Sequence, residues 1–251
     1  MLDVLGIADG WNPHLQAVDA AAAAAGGLHH STHETFFSPE HDLQIADRHE
    51  TTHPVLSASD FEANGTVDPI HDCEVHGNVI EDMNHIHQQT HGSCSLMAQE
   101  QFVERYLGVQ ISEADLEKLA ASWGVYSPES GTTFAGLDAV LDYFDVPHQR
   151  VTQSDLEHLD ATTQRGNDVV VSVDSREFYG DVTIPPDSGH AVAIIGKGVD
   201  PATGATTGYY FSDSNFPNSA RYLTIPEVEN AWYRDMIIIP SSVAAGNSST
   251  T

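Results

Sequence analysis

A glutamine stands six residues before a cysteine in the stretch Gln88-Gln89-Thr90-His91-Gly92-Ser93-Cys94-Ser95. Far along the chain comes Ser188-Gly189-His190-Ala191-Val192, and then Tyr209-Tyr210-Phe211-Ser212-Asp213-Ser214-Asn215. These residue types, in this order, are the parts of acyl transfer through a thioester. The thiolate is the nucleophile, and a histidine holds the proton before passing it to the leaving amine. An acid or amide orients the imidazole, and two hydrogen-bond donors hold the oxyanion. Cys94 is the candidate nucleophile and His190 the candidate base. Asp213 is the candidate orienting group, with Asn215 as the alternative. Gln88 and the backbone N–H of Cys94 are the candidate oxyanion donors, and Gln89 stays open for the same role.

Such groups work only if rigid elements hold them. Leu96, Met97, Phe102, Val103, Tyr106 and Leu107 recur with helical spacing, and Gly108 closes the run. Cys94 therefore sits at a helix N-terminus, where unsatisfied N–H groups and a partial positive charge favour a thiolate. Ser112 reads as the N-cap of a second helix, and Thr133 to Phe144 as a third. Ser154-Asp155-Leu156-Glu157 reads as a capping box for a fourth, ending near Gly166. The period then changes. Val169–Val173, His190–Val199, Gly208–Ser212, Arg221–Ile225 and Met236–Ile239 read as strands, with a turn at Asp200–Gly204 and a short helix at Pro226–Trp232. Helices first and strands second predict an α+β domain. The strand ending at Asp213 is expected beside that of His190.

Composition narrows the function. Acids outnumber bases 37 to 9, for a formal charge of −28, which repels phosphate backbones and anionic membranes. Neither nucleic acid nor a membrane is expected as a partner. No run of 18 apolar residues exists, and Asp3 and Asp9 stand where a secretory signal has bases. Two cysteines, Cys73 and Cys94, are too few for a disulfide scaffold. They read as free thiols in a reducing compartment. The expected location is the cytoplasm, or outside it by a route without a general secretory signal.

Residues 1–66 read as a low-complexity, His-rich, disordered arm, residues 67–240 as the folded domain, and residues 241–251 as a flexible tail. The arm is a candidate intramolecular partner of the cleft.

The segment Gln88–Gln99, the strand start Gly189-His190-Ala191-Val192 and the strand end Phe211-Ser212-Asp213 resemble the double-glycine leader peptidases, the C39-like branch of the papain-like cysteine peptidases. The nearer likeness is to stand-alone bacterial members, through Trp123–Pro128, Leu137–Val146 and Val171–Ser175, and it spans Asn84 to Pro240. The resemblance implies a two-lobed papain-like fold with the nucleophile on a helical lobe and the base on an antiparallel sheet. It implies Cys94, His190 and Asp213 as a triad, Gln88 as oxyanion donor, no cofactor, and a peptide or protein substrate cut after small or Gly-Gly residues. Two features depart from that family. Ser95 follows the cysteine where Gly or Ala is common, and this sequence carries no membrane exporter.

Other readings compete. A transpeptidase or deamidase shares the thioester and differs in what resolves it. Twelve of the 15 histidines precede residue 92, and both His71, Cys73, His76 and His85, His87, His91 have ligand-like spacing. That pattern fits a metal-binding or interaction protein on a degenerate peptidase scaffold. The six-alanine run Ala20–Ala25 before Gly26-Gly27 reads as a helix with its glycine stop, and alternatively as a leader that the peptidase itself would cut.

Overall fold

The computed structural model describes residues 53, 55–62, 65–90 and 92–240. The expected helix before Gly26-Gly27, that glycine pair, His91 and the tail from Ser241 lie outside the described residues. Strand β1 (Val55–Leu56) and one 3-10 turn lead to the hairpin of β2 (Val67–Asp68) and β3 (Cys73–Gly77), then to the one-turn helix α1 (Val79–Asp82). The helical half follows: α2 (Cys94–Leu107), α3 (Glu113–Ser122), the small hairpin β4 (Tyr126–Ser127) and β5 (Gly131–Thr132), and α4 (Ala139–Tyr143). Next come β6 (Gln149–Val151), α5 (Leu156–Gln164), β7 (Asp168–Asp174), α6 (Ser175–Tyr179) and β8 (Gly189–Val199). The chain closes with β9 (Thr206–Ser212), β10 (Ala220–Thr224), α7 (Ile225–Ala231) and β11 (Trp232–Ile239). The architecture is α+β, helical half first.

The main sheet runs β1-β10-β9-β8-β7-β11-β6, antiparallel throughout. Strand β8 is its axis. Its first half pairs with β7 from Gly189 to Ile194, and its second half, Gly196 to Val199, pairs with β3. Because side chains alternate along a strand, each central strand feeds two cores. Val170, Ala191, Ala193, Ile237 and Ile239 pack against Leu96, Phe102 and Val103 of α2 and Val140 of α4. Val169, Val171, Val173, Val192 and Ile194 face the other way, onto Leu159, Phe178, Val228 and Ala231. The alanines of β8 are small where α2 crosses, so the helix that begins with Cys94 lies close on the strand that carries His190 near its start.

The sheet is therefore covered on both faces, by the helical half on one and by α5, α6 and α7 on the other. A third core closes the β3–β8–β10 end with Leu56, Phe61, Cys73, Val75, Ile195, Tyr210 and Tyr222. Leu56 and Phe61 precede residue 67, so the stretch from Val55 joins this domain by pairing β1 with β10.

Two expected helices differ in detail. The run from Thr133 to Phe144 breaks into a 3-10 turn at Phe134–Gly136 and helix α4. A Cβ on Gly136 would stand 2.8 Å from Cβ of Val125 and 2.9 Å from Cγ2 of Thr132, so the chain must cross the β4–β5 hairpin there. The buried Gln99 side chain holds the break, donating to O of Gly136 at 3.3 Å and accepting from N–H of Val140 at 2.9 Å. The fourth helix is capped one residue later than read. Asp155 accepts from N–H of His158 at 2.8 Å, and Ser154 contacts the His158 ring instead.

Candidate active site

Cys94 is the first residue of α2 and has no exposed surface, at 0%. Its approach is held by an acid that the sequence did not single out. Glu113, the first residue of α3, accepts from N–H of Thr90 at 2.7 Å, the Thr90 hydroxyl at 2.6 Å and the Ser93 hydroxyl at 2.6 Å. Ser93 is the N-cap of α2, yet it spends its hydroxyl on Glu113 and caps no first-turn N–H. The helix start is thus fixed from outside, without a side chain lying across its N–H groups.

His190 is the second residue of β8 and is fully buried. Its Nε2 donates to Oδ1 of Asp213 at 2.9 Å. Adjacent antiparallel strands produce this meeting, because β8 starts where β9 ends. Asp213 also accepts from the Tyr179 hydroxyl at 2.7 Å and from N–H of Asn215 at 2.9 Å. Burial pushes the Asp213 carboxyl up. The charge and hydrogen bond of His190, with the Asn215 and Tyr179 donors, outweigh it and hold the group below its ordinary value. Phe178 and Tyr179 of α6 pack on the imidazole with ring centroids 6.1 and 5.7 Å away. The buried Arg221 guanidinium lies over the Tyr179 and Phe216 rings, 5.0 and 5.2 Å from their centroids.

One hydrogen-bonded chain ties this pair to the cysteine's segment. N–H of Gln89 donates to O of Ser214 at 3.0 Å, and its side-chain Nε2 donates to Oδ1 of Asn215 at 2.6 Å. Nδ2 of Asn215 then donates to the Tyr179 hydroxyl at 3.0 Å, which reaches Asp213. Gln88 behaves differently. It is exposed, and its Nε2 makes only long contacts, 3.4 Å to O of Gln89 and 3.5 Å to O of Asn215.

No family model matches the sequence, and no curated protein does. Solved structures do align with it, and three of them illustrate the likeness. The peptidase domain of Streptococcus ComA, a bifunctional ABC transporter of a quorum-sensing pathway, shares 13% identity over 62% of this chain and 97% of its own, with a TM-score of 0.45. A C39-like peptidase from Bacillus anthracis, described as putative, shares 15% identity over 64% and 96%, also at 0.45. Xylellain, a cysteine protease from Xylella fastidiosa, shares 14% identity over 85% and 99%, at 0.43. At such values, what this protein does rests on its own residues.

Tyr179 and Glu113 went unnoticed in the sequence. Tyr179 lies on a five-residue helix with no usable period, and Glu113 reads as an ordinary first-turn acid. Arg221, a strand arginine, gave only its apolar surroundings as a signal. The histidine and cysteine sets fare differently from one another. On β3, Cys73 is buried while His76 is exposed, so they face opposite sides of the strand and the set with His71 is not gathered. His71 instead pairs with Asp68 at 2.6 Å and stacks on Tyr222. Cys73 meets the Tyr210 hydroxyl at 3.3 Å, and burial raises its thiol pKa, the opposite of what a nucleophile needs. Both cysteines are unbridged. His85 and His87 both lie beside Glu104.

Proposed function

We propose that this protein is a cysteine peptidase. The Cys94 thiolate attacks the carbonyl carbon of a peptide bond, and the oxyanion is held by Nε2 of Gln88 and the backbone N–H of Cys94. His190 protonates the leaving amine, which departs and leaves a thioester on Cys94. Water then attacks that thioester, His190 takes its proton, and the acid product leaves with the thiol restored. Asp213 keeps the imidazole oriented and stabilises its charged form. With Nε2 engaged by Asp213, Nδ1 is the nitrogen that exchanges a proton with sulfur.

The observation that carries this reading is the buried His190–Asp213 hydrogen bond, joined through Tyr179, Asn215 and Gln89 to the turn that leads into Cys94. Gln88 is preferred over Gln89 as oxyanion donor because Gln89 is committed to Asn215, whereas the contacts of Gln88 are weak enough to yield to a substrate. The resemblance to leader peptidases supplies the finer expectation, a small residue, glycine foremost, on the acyl side of the cut.

The test is digestion of a complex peptide mixture, with new termini identified by mass spectrometry. New termini generated by the wild-type chain and absent with Cys94→Ser are expected, enriched in glycine or alanine before the cut. Identical termini from both chains would remove the proposal. Termini that depend on Cys94 without such enrichment would leave the peptidase and discard the specificity.

A further inference from the structure

Glu100 lies midway along α2 and has no exposed surface, at 0%. Its Oε1 accepts from N–H of Ile111 at 2.9 Å, while Oε2 is buried and has no hydrogen-bond partner among the described residues. A carboxylate oxygen left so is costly unless a proton or a cation meets it. Burial, with a smaller push from the Glu104 carboxylate, raises this carboxyl to about 7, against the Ile111 N–H and the nearby His87. One helical turn on, at i+4, Glu104 presents its own carboxylate on the same face. Oε2 of Glu104 lies 2.6 Å from Nε2 of His87 and 4.0 Å from Nδ1 of His85. One ligand atom each from His87, Glu100 and Glu104 falls within 4.8 Å of the others.

We propose that His87, Glu100 and Glu104 bind a divalent transition cation, zinc fitting best. Imidazole nitrogen and carboxylate oxygen both ligate zinc, and three protein ligands leave a position for water or for His85. Zinc ligands sit at about 2.0–2.2 Å from the metal, so the three donors must draw together slightly, and the ion takes the place of the His87–Glu104 hydrogen bond. Glu100 forms the buried floor. His87 and Glu104 are half-buried and open the way in. The site has a consequence for the chain beside it. His87 directly precedes Gln88 and Gln89, so the ion clamps the start of that segment onto the helix that carries Cys94.

The site does not depend on the peptidase reading, and its test is kept separate from activity. Untagged full-length chains, all carrying Cys94→Ser to remove that thiol as a ligand, are titrated calorimetrically with zinc. Glu100→Gln and Glu104→Gln are compared with the parent. The His-rich stretch is common to all three and cancels in the difference. The parent is expected to bind one more equivalent than either variant, and cobalt(II) to give visible ligand-field bands that both variants lose. Circular dichroism reports folding, and if Glu100→Gln fails to fold, the half-exposed Glu104→Gln carries the comparison. Superimposed isotherms for parent and folded variants would overturn the proposal and leave Glu100 as a buried acid that keeps its proton.

Discussion

At Asp213 burial and charge pull in opposite directions. The residue is completely buried, which on its own favours the neutral acid, yet the His190 ring and two further donors, the Asn215 N–H and the Tyr179 hydroxyl, hold it below the ordinary carboxylate value of about 3.9. Its contribution to stability is therefore fully present above that value and is lost as pH falls through the lower folded one. Asp213→Asn keeps the shape and removes the charge. It is expected to cut kcat/KM by 100-fold or more, because an uncharged partner no longer stabilises the imidazolium, and circular dichroism should stay near the wild type. Tyr179→Phe removes the hydroxyl that donates to Asp213 and accepts from Asn215. A smaller loss, about 10-fold, is expected in kcat/KM, together with an acid limb of the pH–rate profile shifted upward as Asp213 becomes easier to protonate. An unshifted limb would mean that Tyr179 only packs.

The elements hold these residues through contacts that differ greatly in how local they are. Helix α2 is visible in the apolar spacing and in Gly108, whose φ of +66° ends it. The strands are visible in their β-branched runs, and strand order alone suggested that Asp213 would come beside His190. Contacts set by distant residues left no such trace. The break before α4 is made by Gln99, some 40 positions earlier, and Glu113 reaches back to Thr90 and Ser93. Gly136→Ala tests the first of these. With side-chain atoms of Val125 and Thr132 under 3 Å from the new Cβ, a loss of about 1–3 kcal/mol is expected in chemical denaturation. The α1–α2 junction carries a second prediction. Arg105 bridges Asp82 at 3.2 Å and Asp168 at 2.8 Å, and burial lifts the Asp82 carboxyl to about 7 in spite of the arginine. A raised carboxyl gives stability that is present below the unfolded value of about 3.9 and lost as pH rises through 7. Asp82→Asn should thus leave stability at pH 4 nearly unchanged and raise it at pH 8 by about 1–2 kcal/mol. Equal effects at both pH values would contradict the lifted pKa.

At the scale of the molecule, composition marked the acidic character, but it placed the domain boundary at residue 67. The short strand β1 is too small to show a period, and its burial depends on β10, far away in sequence. A chain beginning at residue 67 loses Leu56 and Phe61 from the third core, so its melting temperature should fall well below that of the full chain; an unchanged value would mean that β1 is peripheral. The central claim also belongs to this scale, because only the complete fold sets the helix of Cys94 against the strand of His190. It is that these two residues act as an activated pair. The direct measurement is the rate of Cys94 alkylation by iodoacetamide against pH, followed by peptide mass spectrometry in the wild type and in His190→Ala. The account predicts alkylation of the wild type that persists well below the ordinary thiol pKa of about 8.5, and a drop of at least 10-fold near pH 6 in His190→Ala. Superimposable profiles, both rising only near the ordinary thiol value, would contradict it.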